Sequence, residues 1–432
     1  MTNDVKFFRD TTPYINMHRG RTFVVVIPGE GIGHENFSHV IQDIALLNSL
    51  GVRIVLVHGA RPQIEARLQQ GAIASKFHAA TRVTDGDTMH CVKEAAGSIR
   101  IAIESLLSMG LVNSPMHGAR IRVVSGNFIT AKPLGIRDGV DFHHTGEVRR
   151  VDRSGIKRQL DDGAIVLLSP IGYSPTGEAF NLSAEDVATQ TAISLHAEKL
   201  IIFSAQSGIK DAAGALQKII SLHEIGNWIP LVPPALAMAL QAAYDACLNG
   251  VPRSHIISFS EDGALLGELF TREGAGTLIV KDGAETIRQA SIDDVGGILE
   301  LIAPLEEQGV LVKRSREVLE TEIARFYVLV HPEGMIVCCA ALYPLPDSQS
   351  AELACVATHP DYHNQGLASR LLLHVEEQAR ALQLDALFVL TTQAAHWFME
   401  KGFESVTLDT LPASKAQLYN FQRNSKIFQK NI

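Results

Sequence analysis

Apolar residues occur in short unbroken runs, separated by stretches in which they recur every three or four positions. Thr22–Ile27 is one such run; a stretch with Phe37, Ile41, Ile44 and Leu47 follows, and Val52–Val57 is apolar again. That spacing predicts a helix between two strands. The alternation continues through Ile121–Ser125, Ala164–Leu168, Ala184–His196, Lys199–Phe203, Ile256–Phe259 and Gly276–Val280. Strands apolar at nearly every position are buried on both faces. They predict an α/β domain with a mainly parallel sheet and helices on both sides. Val140–Val151 reads as a hairpin on one edge.

The pattern changes toward the C-terminus. Phe326–Val330 and Met335–Leu342 flank His331-Pro-Glu-Gly334, a hairpin signal. Leu353–Ala357 is an apolar strand that runs into a Pro/Asn/Gly turn, and Leu367, Leu371, Val375, Ala379 and Leu382 then follow helical spacing. A further strand, Leu387–Thr391, precedes a short helix near Trp397 and Glu400-Lys-Gly-Phe403. This half reads as mixed α+β. The weakest punctuation lies at Lys281–Gln289, so the expected organisation is a helical segment 1–20, a domain 21–280, a linker 281–289 and a domain 290–432.

At 432 residues the chain is too long for one ordinary domain. Its net charge of −9 argues against nucleic acid and against an anionic membrane, both of which need a basic surface. No apolar run approaches the ~20 residues of a membrane span, and the first ten residues lack the apolar core of a secretory signal. Five scattered cysteines fit a reducing, cytoplasmic setting, with Cys338-Cys339 read as small hydrophobes in a strand. Neither Cys-x-x-Cys nor His-Glu-x-x-His occurs, so no metal site is expected.

The turn after Leu353–Ala357 carries the most chemistry. It starts a helix whose first N–H groups are unpaired and whose dipole is positive at that end, which suits a phosphate. An ordinary helix start would show the same glycine. His363-x-x-Gly366-x-Ala368 here resembles the Arg/Gln-x-x-Gly-x-Gly/Ala acetyl-CoA pattern of the GCN5-related N-acetyltransferases, with His363 where Arg or Gln is usual. That resemblance implies acetyl-CoA held by Asn364, Gln365, Gly366, Leu367, Ala368 and Ser369 beside His363, with the backbone of Cys355 and Val356 at the thioester. It also implies Glu352 as the base for the incoming amine, acting through a water. The tyrosine acid common in that fold is absent, and Thr391 and Thr392 are the substitutes.

The first domain resembles the amino-acid kinases, N-acetylglutamate kinase in particular, in Val57-His-Gly-Ala-Arg-Pro-Gln63, Asn181-Leu-Ser-Ala-Glu-Asp186 and Glu268-Leu-Phe-Thr-Arg-Glu-Gly-Ala-Gly-Thr277. That implies a three-layer αβα fold. Such kinases carry a lysine after the first strand and a second one later. Here Val26-Ile-Pro-Gly-Glu30 and Ser204-Ala-Gln-Ser-Gly208 stand at those places. Phosphoryl transfer depends on cationic clamps, so the domain is expected to be a pseudokinase. Gly29-x-Gly31-x-Gly33 alone is a weak dinucleotide signal.

A kinase-like domain joined to an acetyltransferase domain resembles the bacterial N-acetylglutamate synthase family, and Pro13-Tyr-Ile-Asn-Met-His-Arg-Gly20, Leu311-Val-Lys-Arg-Ser-Arg-Glu317 and Leu418-Tyr-Asn-Phe-Gln-Arg-Asn-Ser-Lys426 also fit it. The family implies L-glutamate as substrate, at Lys313, Arg314, Arg423 and Ser425. It implies L-arginine as effector, at Tyr14, His255, Glu268, Gly274 and Gly276, and a homo-oligomer, a hexamer, laced by a helix within Phe7–His18. From the residues alone, the basic clusters fit a solvated face equally, and Arg370 and Arg380 face solvent or the ribose phosphate. The alternatives are an active or bifunctional acetylglutamate kinase, a non-catalytic amino-acid sensor, and an acetyltransferase for another amine.

Overall fold

The computed structural model describes residues 11–109, 117–271, 274–281, 285–332, 334–363, 365–417, 419–421 and 423–432. The chain divides into two compact units, Met1–Gly283 and Ala284–Ile432.

The first unit is built on a sheet of β1 (Thr22–Ile27), β2 (Arg53–His58), β3 (Val123–Val124), β4 (Ile165–Leu168), β5 (Lys199–Ser204), β6 (Ile219–Ser221), β7 (Arg253–Ser258) and β8 (Thr277–Val280). The spatial order is β6-β8-β7-β5-β1-β2-β4-β3. Neighbours are parallel except β7 and β8. Successive side chains point to opposite faces. Val24, Val26, Val55 and Val57 therefore enter one core with the helices Ala184–Leu195 and Pro234–Leu248. Phe23, Val25, Ile27, Ile54 and Leu56 enter a second with Phe37–Ser49 and Gly86–Leu107. That double burial explains the unbroken apolar runs.

Val140–Val151 is not one edge hairpin. Val140–Asp141 pairs with Ile136–Arg137, whereas Gly146–Val151 pairs with Ile129–Pro133 in a separate four-stranded sheet. His143, at φ 47°, breaks the extended chain between them, and the buried Thr145 hydroxyl donates to the Arg82 carbonyl at 2.6 Å. Of the expected Phe7–His18 helix, residues 7–10 lie outside the described ones. The remainder forms α1 (Thr12–His18), with Tyr14 and Ile15 packed on the unit's own core. The His18 Nε2 is 2.9 Å from the Leu269 carbonyl of α2 (Ala264–Phe270).

The second unit holds β9 (Thr286–Gln289), α3 (Val295–Glu307), β10 (Phe326–Val330), β11 (Ile336–Pro344), β12 (Ser350–Thr358), α4 (Leu367–Ala381), β13 (Ala386–Thr391), β14 (Glu404–Val406), α5 (Ala413–Ala416) and β15 (Lys426–Asn431). The sheet order is β9-β10-β11-β12-β13-β15-β14, antiparallel except between β12 and β13. One face packs on α4 through Leu371, Val375 and Ala379, the other on α3 through Val295, Ile298 and Ile302. The linker expected at 281–289 needs correcting, because 286–289 are β9. They pair with β10 from Thr286↔Val330 to Gln289↔Tyr327, so their backbone polar groups are used in the sheet.

Candidate active site

β12 and β13 are parallel neighbours for only three positions, Ser350↔Ala386, Ala351↔Leu387 and Glu352↔Phe388. Beyond Glu352, β12 continues against β11 and β13 continues against β15. The facing edges Leu353–Thr358 and Val389–Thr391 therefore open a wedge, whose backbone donors and acceptors are not spent on each other. At its start β12 bulges. Ala341 opposes Ala354 and Cys339 opposes Ala357, so Cys355 and Val356 share one partner position, and Cys355 adopts φ 54°.

A bulge reverses which residues face which side. Ala351 and Leu353 point into the core under α4, but Cys355 and Ala357 point into the core under α3. Glu352 and Cys355 thus share a face although they are three positions apart, a spacing that would put them on opposite faces of a regular strand. On that face Tyr343 stands directly across from Glu352 in the ladder. Its hydroxyl donates to the Glu322 carboxylate at 2.7 Å, and burial followed by Glu322 pushes the phenol well up. Glu352 is bound by a residue that sequence reasoning missed: the Lys415 ammonium, on α5, donates to Glu352 Oε2 at 2.5 Å. No local spacing could have found this pair, because 63 residues separate its members.

Two of the expected substrate residues converge. Arg314 donates from Nη1 to the Val312 carbonyl at 3.2 Å, and its own N–H donates to Glu306 at 2.9 Å. Its guanidinium lies in the field of Cys355, Tyr343 and Glu322. Arg423 donates from Nη2 to the Val310 carbonyl. Both arginines are therefore pinned on one segment, 310–314. The Arg423 Nε is buried and has no acceptor. Ser425 is buried just before Lys426, which pairs with Thr391 at the mouth of the wedge. Lys313 is exposed and forms no ion pair among the described residues, so it does not join this group.

Thr391 is buried, and its Oγ1 accepts the N–H groups of Gln393 and Ala394 at 3.3 and 3.0 Å, which leaves the hydroxyl proton free to donate. Thr392 is exposed. In the turn after β12, Gly366 starts α4 at φ 76°, a conformation costly for any residue with a Cβ, and no other atom lies within 4 Å of where one would stand. Leu367 is buried beneath the turn, Ala368 and Ser369 are partly buried, and Gln365 is exposed. Asn364 lies outside the described residues. His363 is exposed, and its Nε2 sits 3.0 Å from the Thr358 carbonyl. Arg370 is exposed and pairs with Glu285 at 2.6 Å, and Arg380, also exposed, lies 3.8 Å from Glu376.

Residues 21–258 match the amino acid kinase family, and residues 297–416 match the acetyltransferase (GNAT) family. An amino-acid acetyltransferase of Pseudomonas aeruginosa is 55% identical over 433 residues, covering 100% of both chains. This chain belongs to the amino-acid acetyltransferase family. N-acetylglutamate synthase from Neisseria gonorrhoeae complexed with coenzyme A and L-arginine matches with a TM-score of 0.84 at 35% identity, over 100% of both chains. The same protein complexed with coenzyme A and N-acetyl-glutamate matches with 0.63 at 36%, over 100% of this chain and 99% of that one. The chain is an amino-acid N-acetyltransferase that takes its acetyl group from acetyl-CoA, and the wedge between β12 and β13 with the Gly366 turn lies in its acetyltransferase unit.

In the kinase-like unit, His255, Glu268, Gly274 and Gly276 come together around internal bonds. The Glu268 Oε1 is 2.7 Å from His255 Nδ1, and Oε2 accepts the N–H groups of Ala275 and Gly276 at 2.6 and 2.8 Å. Lys199 Nζ stands 3.0 Å from the other His255 nitrogen. An ammonium there donates to Nε2, so Nδ1 carries the proton and donates to Glu268. Burial alone would raise this carboxyl, but the bonds it accepts hold it below the usual range. Gly276 is required by close approach: a Cβ would meet the Ile256 carbonyl oxygen at 2.2 Å. Two of the glycines after β1, Gly29 and Gly31, are likewise tightly packed. A Cβ on Gly29 would meet Pro62 at 2.6 Å, and Gln63 donates to the Gly29 carbonyl at 2.7 Å. Gly29 thus serves close contact with the segment after β2.

Proposed function

We propose that the enzyme acetylates the α-amine of L-glutamate and that L-arginine regulates it through the kinase-like unit. The observation that carries the substrate is the Arg314–Arg423 pair on segment 310–314, with the buried Arg423 Nε lacking an acceptor. A buried guanidinium N–H with no partner is costly, and a substrate carboxylate would satisfy it in the paired geometry that arginine favours. The N-acetyl-glutamate complex of the Neisseria gonorrhoeae protein supports the same reading.

Acetyl-CoA would lie with its pyrophosphate at the Gly366 turn and its thioester in the wedge, where the unspent N–H groups of Cys355 and Val356 polarise the carbonyl. An α-amine is mostly protonated at neutral pH. Glu352 takes that proton through a water, the amine nitrogen bonds to the acetyl carbon, and the carbon–sulfur bond breaks. The nitrogen, still carrying one surplus proton after the attack, gives it to the Thr391 oxygen as the unspent Thr391 hydroxyl proton passes to the leaving thiolate, so Thr391 relays one proton and ends as a hydroxyl. The test is thiol release from acetyl-CoA against glutamate, glutamine, aspartate, lysine and arginine. Glutamate should be preferred over glutamine by well over tenfold, since an uncharged amide leaves a buried guanidinium unpaired. Equal turnover of all five would reject the substrate.

Arginine would bind at the turn 274–276, with its guanidinium near Glu268 and the Gly274 carbonyl, which already accepts from Lys218 at 3.2 Å. α1, carrying Tyr14, docks on α2, which carries Glu268, so changes at one reach the other. The L-arginine complex of the Neisseria gonorrhoeae protein supports this reading. Assembly into a homo-oligomer, a hexamer, is proposed with it, and light scattering of the purified enzyme tests it.

A further inference from the structure

Glu352 is gripped from a segment that ordinary sheet packing does not require. Pro412 starts the single-turn helix α5, and Lys415 is its third residue. Three contacts hold the turn in place. Leu411 is buried against Phe388 and Ile427, Ala416 packs on the same cluster, and Ser414 donates from its N–H and its hydroxyl to the Asp347 carboxylate at 2.8 and 2.5 Å. Asp347 lies in the turn between β11 and β12, so the latch references α5 to the strand that carries Glu352. The two Ser414 bonds keep the Asp347 carboxyl below its usual range. Between these anchors Lys415 reaches Glu352, and both side chains are largely enclosed, 20% and 16% exposed.

The other charged or titratable groups on that face are already committed or point elsewhere. Tyr343 and Glu322 bond to each other, Arg325 lies over the Tyr343 ring at 5.1 Å, and Arg314 is held by Val312. Among the described residues, Lys415 is the one cation on Glu352, and it occupies Oε2 and leaves Oε1 without a hydrogen bond.

We infer that Lys415 is a positioning residue for acetyl transfer: it holds the Glu352 carboxylate turned so that Oε1 receives the amine proton. The inference rests on the reading of Glu352 as the base. A fixed oxygen is a better proton acceptor than a rotating one.

The experiment compares wild type with Lys415→Met, Lys415→Arg and Glu352→Gln in the full chain. It reads kcat and both KM values across pH 6 to 9, coenzyme A binding by calorimetry, and the thermal midpoint. Lys415→Met should lower kcat by roughly tenfold or more, within the range a general base supplies. Both KM values should stay within about twofold, with coenzyme A binding unchanged. Lys415→Arg, which keeps the charge and a donor, should restore most of the rate. Glu352→Gln separates the two claims. If it turns over as wild type does, the base assignment fails and takes this inference with it. If it collapses while Lys415→Met keeps the wild-type kcat, the base stands and the role of Lys415 is refuted. A loss in Lys415→Met that Lys415→Arg fails to rescue, with a lowered thermal midpoint or raised KM values, is a packing effect and also refutes it.

Discussion

Replacing Arg423 by alanine should damage glutamate recognition far more than any other step. The side chain makes one internal bond, Nη2 to the Val310 carbonyl, and buries an Nε that has no acceptor. Its remaining donors are therefore available to a carboxylate. Truncating one partner of a buried charge pair costs about 2–5 kcal/mol. At 1.4 kcal/mol per decade that is on the order of 30-fold to several thousand-fold in the glutamate KM. Arg423→Lys should fall between, since an ammonium keeps the charge but cannot present the guanidinium fork. Thiol release is measured with glutamate varied at saturating acetyl-CoA, then with acetyl-CoA varied at the highest glutamate reachable. A glutamate KM within twofold of wild type would refute the reasoning. So would an equal rise in both KM values, which would place Arg423 in the scaffold rather than on the substrate.

Glu268→Gln should blunt the response to arginine by roughly 10- to 100-fold in half-maximal concentration. The carboxylate accepts from His255, Ala275 and Gly276, and bonds to a charged acceptor are worth about 1.5–3 kcal/mol each; a titration curve superimposable on wild type would remove this turn from the effector site. Incubation with ATP and N-acetylglutamate should yield no acetylglutamyl phosphate, because Pro28-Gly-Glu30 and Ser204–Gly208 supply no lysine; product in a hydroxamate assay would overturn the pseudokinase reading. Burial pulls the His58 imidazole from 6.5 down to about 4. The folded state then binds fewer protons than the unfolded one below pH 6.5, so this contribution is complete above 6.5 and is lost as pH falls toward 4. From pH 7.5 to 5.0 the loss is roughly 2 kcal/mol. Urea unfolding should show it in wild type and not in His58→Gln, and parallel pH dependence in the two would disprove the assignment.

Much of this architecture is local and was therefore legible in the chain. Unbroken apolar residues over Phe23–Ile27 and Ile54–Val57 call for burial on both faces, which a covered parallel sheet provides. The strand–turn–helix around Gly366 was equally plain, because a positive φ and the Leu367, Leu371, Val375 stripe are written in neighbouring residues. The Val140–Val151 hairpin and the 281–289 linker were misread, because pairing partners are chosen by competition among strands across the unit, not by the segment. The active site depended on that competition most. Which edge of β12 stays open is set where β13 parts from it after Phe388 while keeping β15 on its other side, and the bulge at Cys355 decides which side chains join Glu352. Lys415 reaches Glu352 across 63 residues because Asp347 latches Ser414, and the His363 Nε2 meets the Thr358 carbonyl. Residue type and spacing carried the fold and the cofactor turn, since those follow from backbone geometry and burial over a few residues. The partner of each charge came only with the folded chain, because Coulomb and hydrogen-bond terms act over a few ångströms between residues that the sheet alone makes neighbours.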